Sequence, residues 1–381
     1  MAAVRRGLSQ RAVARRFGVG LGTVQRWVAR ASGQRLNRTC WTDRPHVPQR
    51  VARTSSTLES RIVELRATLK HDSDLGEYGA AAIARALSAE GAAVPSERTI
   101  HRVLVRHGAL DHRRRVRRPA PPVGWYLPAC AAQEAELDSW DFVEGLVIAH
   151  GPEVETLNVI SLHGGYPGAW PDRPYTAVRT LDTILEHWRY VGLPVYAQFD
   201  NDTRFQGPHQ HPDVLSRVMR LCLQLDVIPV FAPPREHGFQ NRIESFNGRW
   251  QSKVWARFHH ESLAHLQQRS ARYLAAARAR LAPRSDNLLP RRSVPAAFQL
   301  DLQAPPHGRL VFLRRTDDHG RITVLGHVLA IAPLWPHRLV RAEVDLDHHR
   351  IDIYRLRRRE PLDQPLVQSI NHRVPVRRFR G

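Results

Sequence analysis

Three carboxylates in the middle of the chain stand where they can do chemistry. Asp141 lies in a strand-like run, LDSWDF; Asp200 closes a short strand-like segment in QFDNDTRF; Glu244 falls early in a helix-like stretch, NRIESFNGRW. Carboxylates at strand ends, joined by one on an adjacent helix, can converge on hard divalent cations, which prefer oxygen ligands and keep water and substrate phosphate in their shell. Two such ions about 3.5 to 4 Å apart activate a nucleophile and stabilise a leaving oxygen in in-line phosphoryl transfer. Taken singly, each acid reads as a solvated charge; the strand-helix order is what groups them. Asp138 competes with Asp141 for the first position. Residues three apart on a strand face opposite sides, so both cannot enter one site, and the flanking Trp140 and Phe142 favour Asp141.

The composition narrows what such a centre acts on. The 381 residues carry 57 Lys plus Arg against 36 Asp plus Glu, a formal charge of +21. Lys occurs only at Lys70 and Lys253. Coding bias explains Arg over Lys, but not the excess of cations over acids. A polyanionic partner, nucleic acid, accounts for the charge better than a membrane surface, because no amphipathic basic helix or lipidation signal is found. Cys40, Cys130 and Cys222 are few and far apart, which excludes a disulfide framework or a Cys-based zinc cluster. No apolar run approaches the ~20 residues of a membrane span, and no signal peptide is evident. The expectation is a soluble cytoplasmic, nucleoid-associated protein. At 42% hydrophobic and 24% charged residues, the chain has material for folded cores.

Around the acids, the elements fall into segments. Residues 1–34 place Ala12, Val13, Phe17, Val19, Val24, Trp27 and Val28 at helical spacing about a Gly-containing turn, which predicts a helix-turn-helix. Ser9 is its N-cap and Gly18 its stop, and Thr23, Gln25, Arg26 and Arg30 face outward toward bases and phosphates; a plain helical hairpin is the competing reading. A linker, 35–55, leads to a second helical unit, 56–110, of helix-turn-helix or winged-helix type. There Ser96 caps a helix offering Arg98, Thr99, His101 and Arg102. A basic and Pro-rich linker follows, 111–135, able to lie along phosphates. Residues 136–285 read as an α/β layer of helices on a mixed sheet, 286–306 as a linker, and 307–381 as a small β-barrel of about five strands.

With these pieces in place, the sequence resembles the DDE transposases of insertion sequences, whose catalytic core is like that of retroviral integrase and has a ribonuclease H-like fold. The resemblance extends over most of the chain: paired helical units, basic linker, core and terminal β-barrel. It implies that Asp141, Asp200 (in DND, where relatives carry a DNG-like motif) and Glu244 are the catalytic triad, coordinating two Mg²⁺ or Mn²⁺ ions for DNA cleavage and joining. The implied partners are double-stranded DNA, both element ends and target, and further copies of the chain as a homo-oligomer. Asp202 stands where the family has glycine, adding charge beside Asp200. The 43 residues between Asp200 and Glu244 exceed the family's usual interval, and residues 207–213 account for the excess as a loop extension.

On the helix of Glu244, Asn241, Asn247, Gly248 and Gln251 share its face, while Arg242, Arg249 and Lys253 spread positive charge around it. Gln240 and Asn241 are expected to position a DNA strand, and Arg249 or Lys253 to contact phosphate; solvated helix charge competes for each. His209, His211, His237, His259 and His260 are scattered without close partners and read as surface residues, not zinc ligands. Two other functions fit the same segments. One is a DNA-binding regulator derived from a transposase with an inactive core; the other is a structure-specific nuclease that cleaves without joining.

Overall fold

The computed structural model describes residues 1–42, 54–111, 123–207, 211–234, 236, 238–281, 289–331, 336–375 and 378–379. They group into two compact units, Met1–Glu59 and Ser60–Gly381. The first holds helices α1 (Ala2–Arg5), α2 (Gln10–Phe17) and α3 (Leu21–Ala31). The Ser9 side chain accepts from the Ala12 amide at the start of α2, and Gly18 stops that helix at φ 62°, a left-handed conformation that glycine adopts without strain. Ala3, Val13, Ala14 and Val24 form the small core these helices share. Residues 112–122 of the basic linker lie outside the described residues.

Helices α4 (Ser56–Asp72), α5 (Ala80–Ala89) and α6 (Glu97–Arg106) follow. They bury Ile62, Leu65, Ile83, Leu87, Ile100, Val103 and Leu104, the apolar stripe each helix presents at i, i+3 and i+4 spacing. Ser96 caps α6 through the Thr99 amide at 3.3 Å. Among the described residues no strand occurs between α4 and α6.

After a short helix α7 (Pro128–Ala131), the chain builds one mixed sheet. Strands β1 (Leu137–Val147), β2 (Glu153–Ser161) and β3 (Pro167–Asp172) form an antiparallel meander. Helix α8 (Ala177–Val191) returns the chain to β4 (Tyr196–Phe199), parallel to β1; α9 (Thr203–Gln206) and α10 (Arg217–Gln224) lead to β5 (Ile228–Phe231), parallel to β4. Helix α11 (Asn241–Trp250) continues into a π-helical turn at Gln251–Trp255, and α12 (Leu263–Leu281) ends this part.

The alternation along β1 divides the two faces. Trp140 joins Phe199, Ile184, Trp188, Val218 and Leu221 in the core under α8 and α10. Val143 lies on the opposite face with Ile243, Phe246, Trp250 and Leu266, under α11 and α12.

The terminal strands correct the expected barrel. Strands β6 (Arg309–Arg315), β7 (Arg321–Val324), β8 (His327–Ala330), β9 (Leu339–Asp345), β10 (Arg350–Arg355) and β11 (Leu366–Asn371) follow in order. β6 pairs parallel with β5, Val230 opposite Val311 and Phe231 opposite Phe312. β9, β10 and β11 then extend the same sheet, giving the order β11-β10-β9-β6-β5-β4-β1-β2-β3, with β7 and β8 as a separate hairpin. The physical reason lies in β6, where Leu310, Val311, Phe312 and Leu313 are all buried. A strand apolar on both faces belongs inside a covered sheet. Phe312 stacks on Phe231 at 5.1 Å between ring centroids. Among the described residues no pairing closes these strands on themselves, and no helix is long and apolar enough to cross a membrane.

Asp138 is fully buried on the Trp140 face of β1. The Arg291 guanidinium donates to both its oxygens, at 3.0 and 2.5 Å, and Ser161 Oγ and Trp188 Nε1 donate at 2.7 and 3.2 Å. Burial acts to raise this carboxyl, but the Arg291 charge and hydrogen bonds outweigh it and hold Asp138 below the usual range. Removing one partner of such a pair strands the other charge out of water. Arg291→Met is therefore expected to destabilise the chain by about 3 to 5 kcal/mol, read from the urea unfolding midpoint. A loss below about 1 kcal/mol, the range of an exposed pair, would show that the pair is solvated.

Candidate active site

The β1–β4 register places two of the three carboxylates together. Asp138 is opposite Ala197 and Ser139 opposite Gln198, so the same parallel register brings Asp141 level with Asp200, just past the end of β4. Residues opposite one another on neighbouring strands point to the same face. That face carries α11, whose first turn holds Glu244. Asp141 and Asp200 are half-buried and Glu244 is exposed. Asp138, on the other side of β1, is taken up by Arg291.

Helix α11 is held in place by polar contacts at its start. Gln240 Nε2 donates to the Trp140 carbonyl at 3.4 Å. The buried Tyr126 hydroxyl lies 2.9 Å from Gln198 Oε1 and 3.0 Å from the Phe239 carbonyl, tying β4 to the segment that enters the helix. One turn beyond Glu244, Asn247 Nδ2 donates to Asp141 Oδ2 at 2.7 Å. Asn247 Oδ1 accepts from Asn158 Nδ2 at 2.8 Å, and Asn158 Oδ1 accepts from the Thr156 hydroxyl at 3.0 Å. An ionised carboxylate only accepts, so it sets the direction of every donor in this chain. The relay runs from β2 through α11 to Asp141.

The electrostatics reflect crowding. Burial, then the Asp200 charge, with Glu244 adding to it, pushes the Asp141 carboxyl up to about 7, against the Asn247 hydrogen bond, which acts to lower it. Asp200 is raised by burial and by the charges of Asp202 and Glu144, opposed by the Asp202 amide and by Arg204. These three acids are all oxygen donors, and two of them resist ionising beside each other. Such a set suits hard divalent cations, whose charge favours the ionised forms. The ligand atoms of Asp141, Asp200 and Glu244 do not all lie within 4.8 Å of one another; among the described residues, the group that does is Asp213, His327 and His372.

Asp202 is turned away from this centre. Its side chain caps α9 by accepting from the Arg204 amide at 2.7 Å, and it pairs with the Arg204 guanidinium at 2.7 Å. Burial acts to raise Asp202, but the Arg204 contacts prevail and hold it below the usual carboxylate range. Arg204 also pairs with Glu144 and with Glu155, the latter at 2.7 Å, and lies 3.7 Å over the Phe142 ring. One guanidinium thus clamps both strands of the β1–β2 hairpin, near its turn, to the loop carrying Asp200. Neither Arg204 nor the Thr156–Asn158 pair stood out in the sequence. Arg204 reaches Glu155 and Glu144 from 49 and 60 residues away, and Asn158 is 89 residues from Asn247, so no local spacing marks these contacts. Asn247 was visible only as a neighbour of Glu244 on the helix face.

The other expected contact residues are dispersed. Thr23, Gln25 and Arg26 are exposed on α3, while Arg30 is half-buried, donating to the Thr42 carbonyl at 2.6 Å and lying 4.9 Å over the Trp27 ring. On α6, Arg98, His101 and Arg102 are exposed, and the half-buried Thr99 pairs its hydroxyl with Ser96. Asn241 opens α11 and is half-buried; Arg249 is exposed and donates to the Ser245 carbonyl. Lys253, expected at phosphate, donates to the Gly76 carbonyl at 2.9 Å, where the α4–α5 connection meets the core. His260 is buried and stacked on Trp255, contrary to its reading as a surface residue. His209 and His237 lie outside the described residues.

No family model and no curated protein matches the chain. Among solved structures, it is similar to the catalytic core of BIV integrase, at 14% identity over 37% of this chain and 81% of that one, TM-score 0.28. It is also similar to a chain of the simian T-cell lymphotropic virus intasome in complex with PP2A regulatory subunit B56 gamma, at 12% identity over 74% and 91%, TM-score 0.34. A third similarity is to the HTLV-2 integrase catalytic core in complex with magnesium, at 13% identity over 35% and 81%, TM-score 0.27. At these values they are resemblances, and the chemistry of the site stands apart from them.

Asn247→Leu removes the donor to Asp141 and is expected to raise that carboxyl by about one further unit, the worth of one charge-assisted hydrogen bond. Carbon-13 NMR titration without divalent cations reads the shift. A carboxyl that stays put or moves down would remove Asn247 from this role.

Proposed function

We propose that the chain is a DNA strand transferase of the DDE type, a transposase of an insertion sequence with a ribonuclease H-like core, and that Asp141, Asp200 and Glu244 are its catalytic acids. The observation that supports this most is the placement of Asp141 level with Asp200 on parallel strands facing the helix of Glu244, in a chain of net charge +21. In this reading the three carboxylates hold two Mg²⁺ or Mn²⁺ ions, which when bound supply charge to activate an attacking oxygen and stabilise a leaving one.

The residues of the chain have distinct tasks. Asn247 holds the Asp141 carboxylate toward the site, and Arg204 keeps Asp202 from competing with Asp200. Gln240 and Asn241, at the start of α11, border the path of the DNA strand. Thr23, Gln25 and Arg26 on α3, with Arg98, His101 and Arg102 on α6, read element ends, joined by Arg30 and Thr99 as these helices adjust on DNA. Arg249 contacts phosphate, and Lys253 holds the α4–α5 connection. Water attacks a phosphodiester at the element end, the P–O3′ bond breaks, and a 3′-hydroxyl is released. That hydroxyl then attacks a target phosphodiester, forming a new P–O bond as the target's 3′ oxygen leaves. Two ends must be joined at one target, so the working form is a homo-oligomer on DNA.

Asp200→Asn and Glu244→Gln should each reduce Mg²⁺-dependent cleavage and joining of labelled element ends by about 10³-fold or more, as expected for members of a concerted catalytic set. End binding by gel shift should persist. Strand transfer retained in either variant would sink the assignment, and binding without cleavage by the unsubstituted chain would favour a DNA-binding regulator.

A further inference from the structure

A second constellation lies outside the three acids, on segments brought together only by the fold. Asp213 sits in the loop before α10, His327 begins β8, and His372 follows β11. Both imidazoles turn Nε2 toward the same carboxylate: His327 at 3.0 Å from Oδ2 and His372 at 2.8 Å from Oδ1. The rings are 4.8 Å apart at 67°, and one ligand atom from each residue lies within 4.8 Å of the other two.

The backbone keeps this geometry in place. Asp213 adopts φ 61°, a left-handed conformation disfavoured for a side-chain-bearing residue, and its amide donates to the Leu325 carbonyl at 3.0 Å. The hairpin turn between β7 and β8 presses against this loop. At Gly326, with φ 79°, a Cβ would lie 2.9 Å from the Pro212 Cα, so only glycine fits. The His372 amide donates to the His349 carbonyl at 2.8 Å, fixing the third segment.

We propose that Asp213, His327 and His372 form a binding site for Zn²⁺ or a similar borderline divalent ion, chemically distinct from the Asp141–Asp200–Glu244 centre. Two imidazole nitrogens and one carboxylate oxygen suit zinc, which takes such ligands at about 2.0 to 2.2 Å with tetrahedral geometry. Mg²⁺ and Ca²⁺ prefer oxygen donors and are disfavoured by this set. Three protein ligands leave a fourth position for water. His327 remains about one-third exposed, which gives an ion a route in from solvent. The ion cross-links positions 114 and 159 residues apart, pinning the β7–β8 hairpin and the chain after β11 to the loop preceding α10. Its role is to stabilise the extended part of the sheet.

The test uses the full, tag-free chain carrying Asp200→Asn and Glu244→Gln, so that the first centre contributes nothing. Titration with Co²⁺ should show one equivalent bound, with the intense visible absorption of a tetrahedral ion, and Zn²⁺ should displace it. Adding His327→Gln or His372→Gln should remove the band and weaken binding by about 100-fold or more, the share of one ligand in a structural zinc site. Zn²⁺ should also raise the melting temperature of the parent chain. No visible band, or a band that survives both histidine substitutions, would overturn the proposal. Should those variants fail to fold, zinc X-ray absorption on the parent decides: two imidazoles with oxygen support the site, and any other ligand set refutes it. Loss of strand transfer in the acid variants alone leaves this result unaffected.

Discussion

The structure is organised around a cost: holding Asp141 and Asp200 side by side and half out of water. Each disfavours ionisation of the other, and Asp141 is pushed up to about 7 by burial and its acidic neighbours. Relaxed side chains would separate and hydrate. The fold prevents this with two devices of different kind. A directional hydrogen-bond relay, Thr156 to Asn158 to Asn247, ends on Asp141 and fixes its orientation. A charge clamp, Arg204, gathers Glu144, Glu155 and Asp202, so that the surrounding acids are partly offset and the Asp200 loop is fixed to the β1–β2 hairpin. Repulsion left inside such a frame is what a bound cation relieves.

The period of β1 explains how two acids three residues apart have unrelated environments. Asp138 faces the aromatic core and is ion-paired to Arg291, while Asp141 faces α11. The alternation was legible in the sequence, because a strand puts such residues on opposite faces whatever the fold. The identity of the partner on each face was not. Arg291 reaches Asp138 from 153 residues further on, and Asn247 reaches Asp141 from 106. Helix caps such as Ser9 and Ser96 were equally legible, since their partners lie within one turn.

The terminal strands show the opposite case. Short alternating segments with polar breaks describe a barrel and an open sheet extension equally well, because both need strands of period two. What separates them is the partner of the first strand. β6 joins β5, and its continuous apolar run, LVFL, was the available signal: a barrel strand with one wet face would have alternated. The extension has a consequence for the site. β5 becomes an interior strand with Phe231 stacked on Phe312 and tilted against Phe199. β4, which delivers Asp200, is thereby backed by a wide covered sheet instead of lying near an edge.

Burial of arginine on this scale also revises the meaning of the chain's charge. Arg204, Arg291, Arg314 and Arg341 are engaged internally, and Arg314 is so thoroughly enclosed that desolvation lowers it to about 10 while it donates to the Thr323, Ala232 and Leu313 carbonyls. Such cations are structural, and they contribute little at the surface. Acids are drawn inward as well: Asp138 is buried against Arg291, Glu136 against backbone amides, and Asp345 and Asp352 beside the exposed Arg309 and Arg350. The exposed arginines of α3 and α6 stand on the polar faces of short, strongly amphipathic helices. Of the internal arginines, Arg204 reaches the loop of Asp200 and Arg291 the opposite face of β1, while the exposed arginines of α3 and α6 carry charge at the surface.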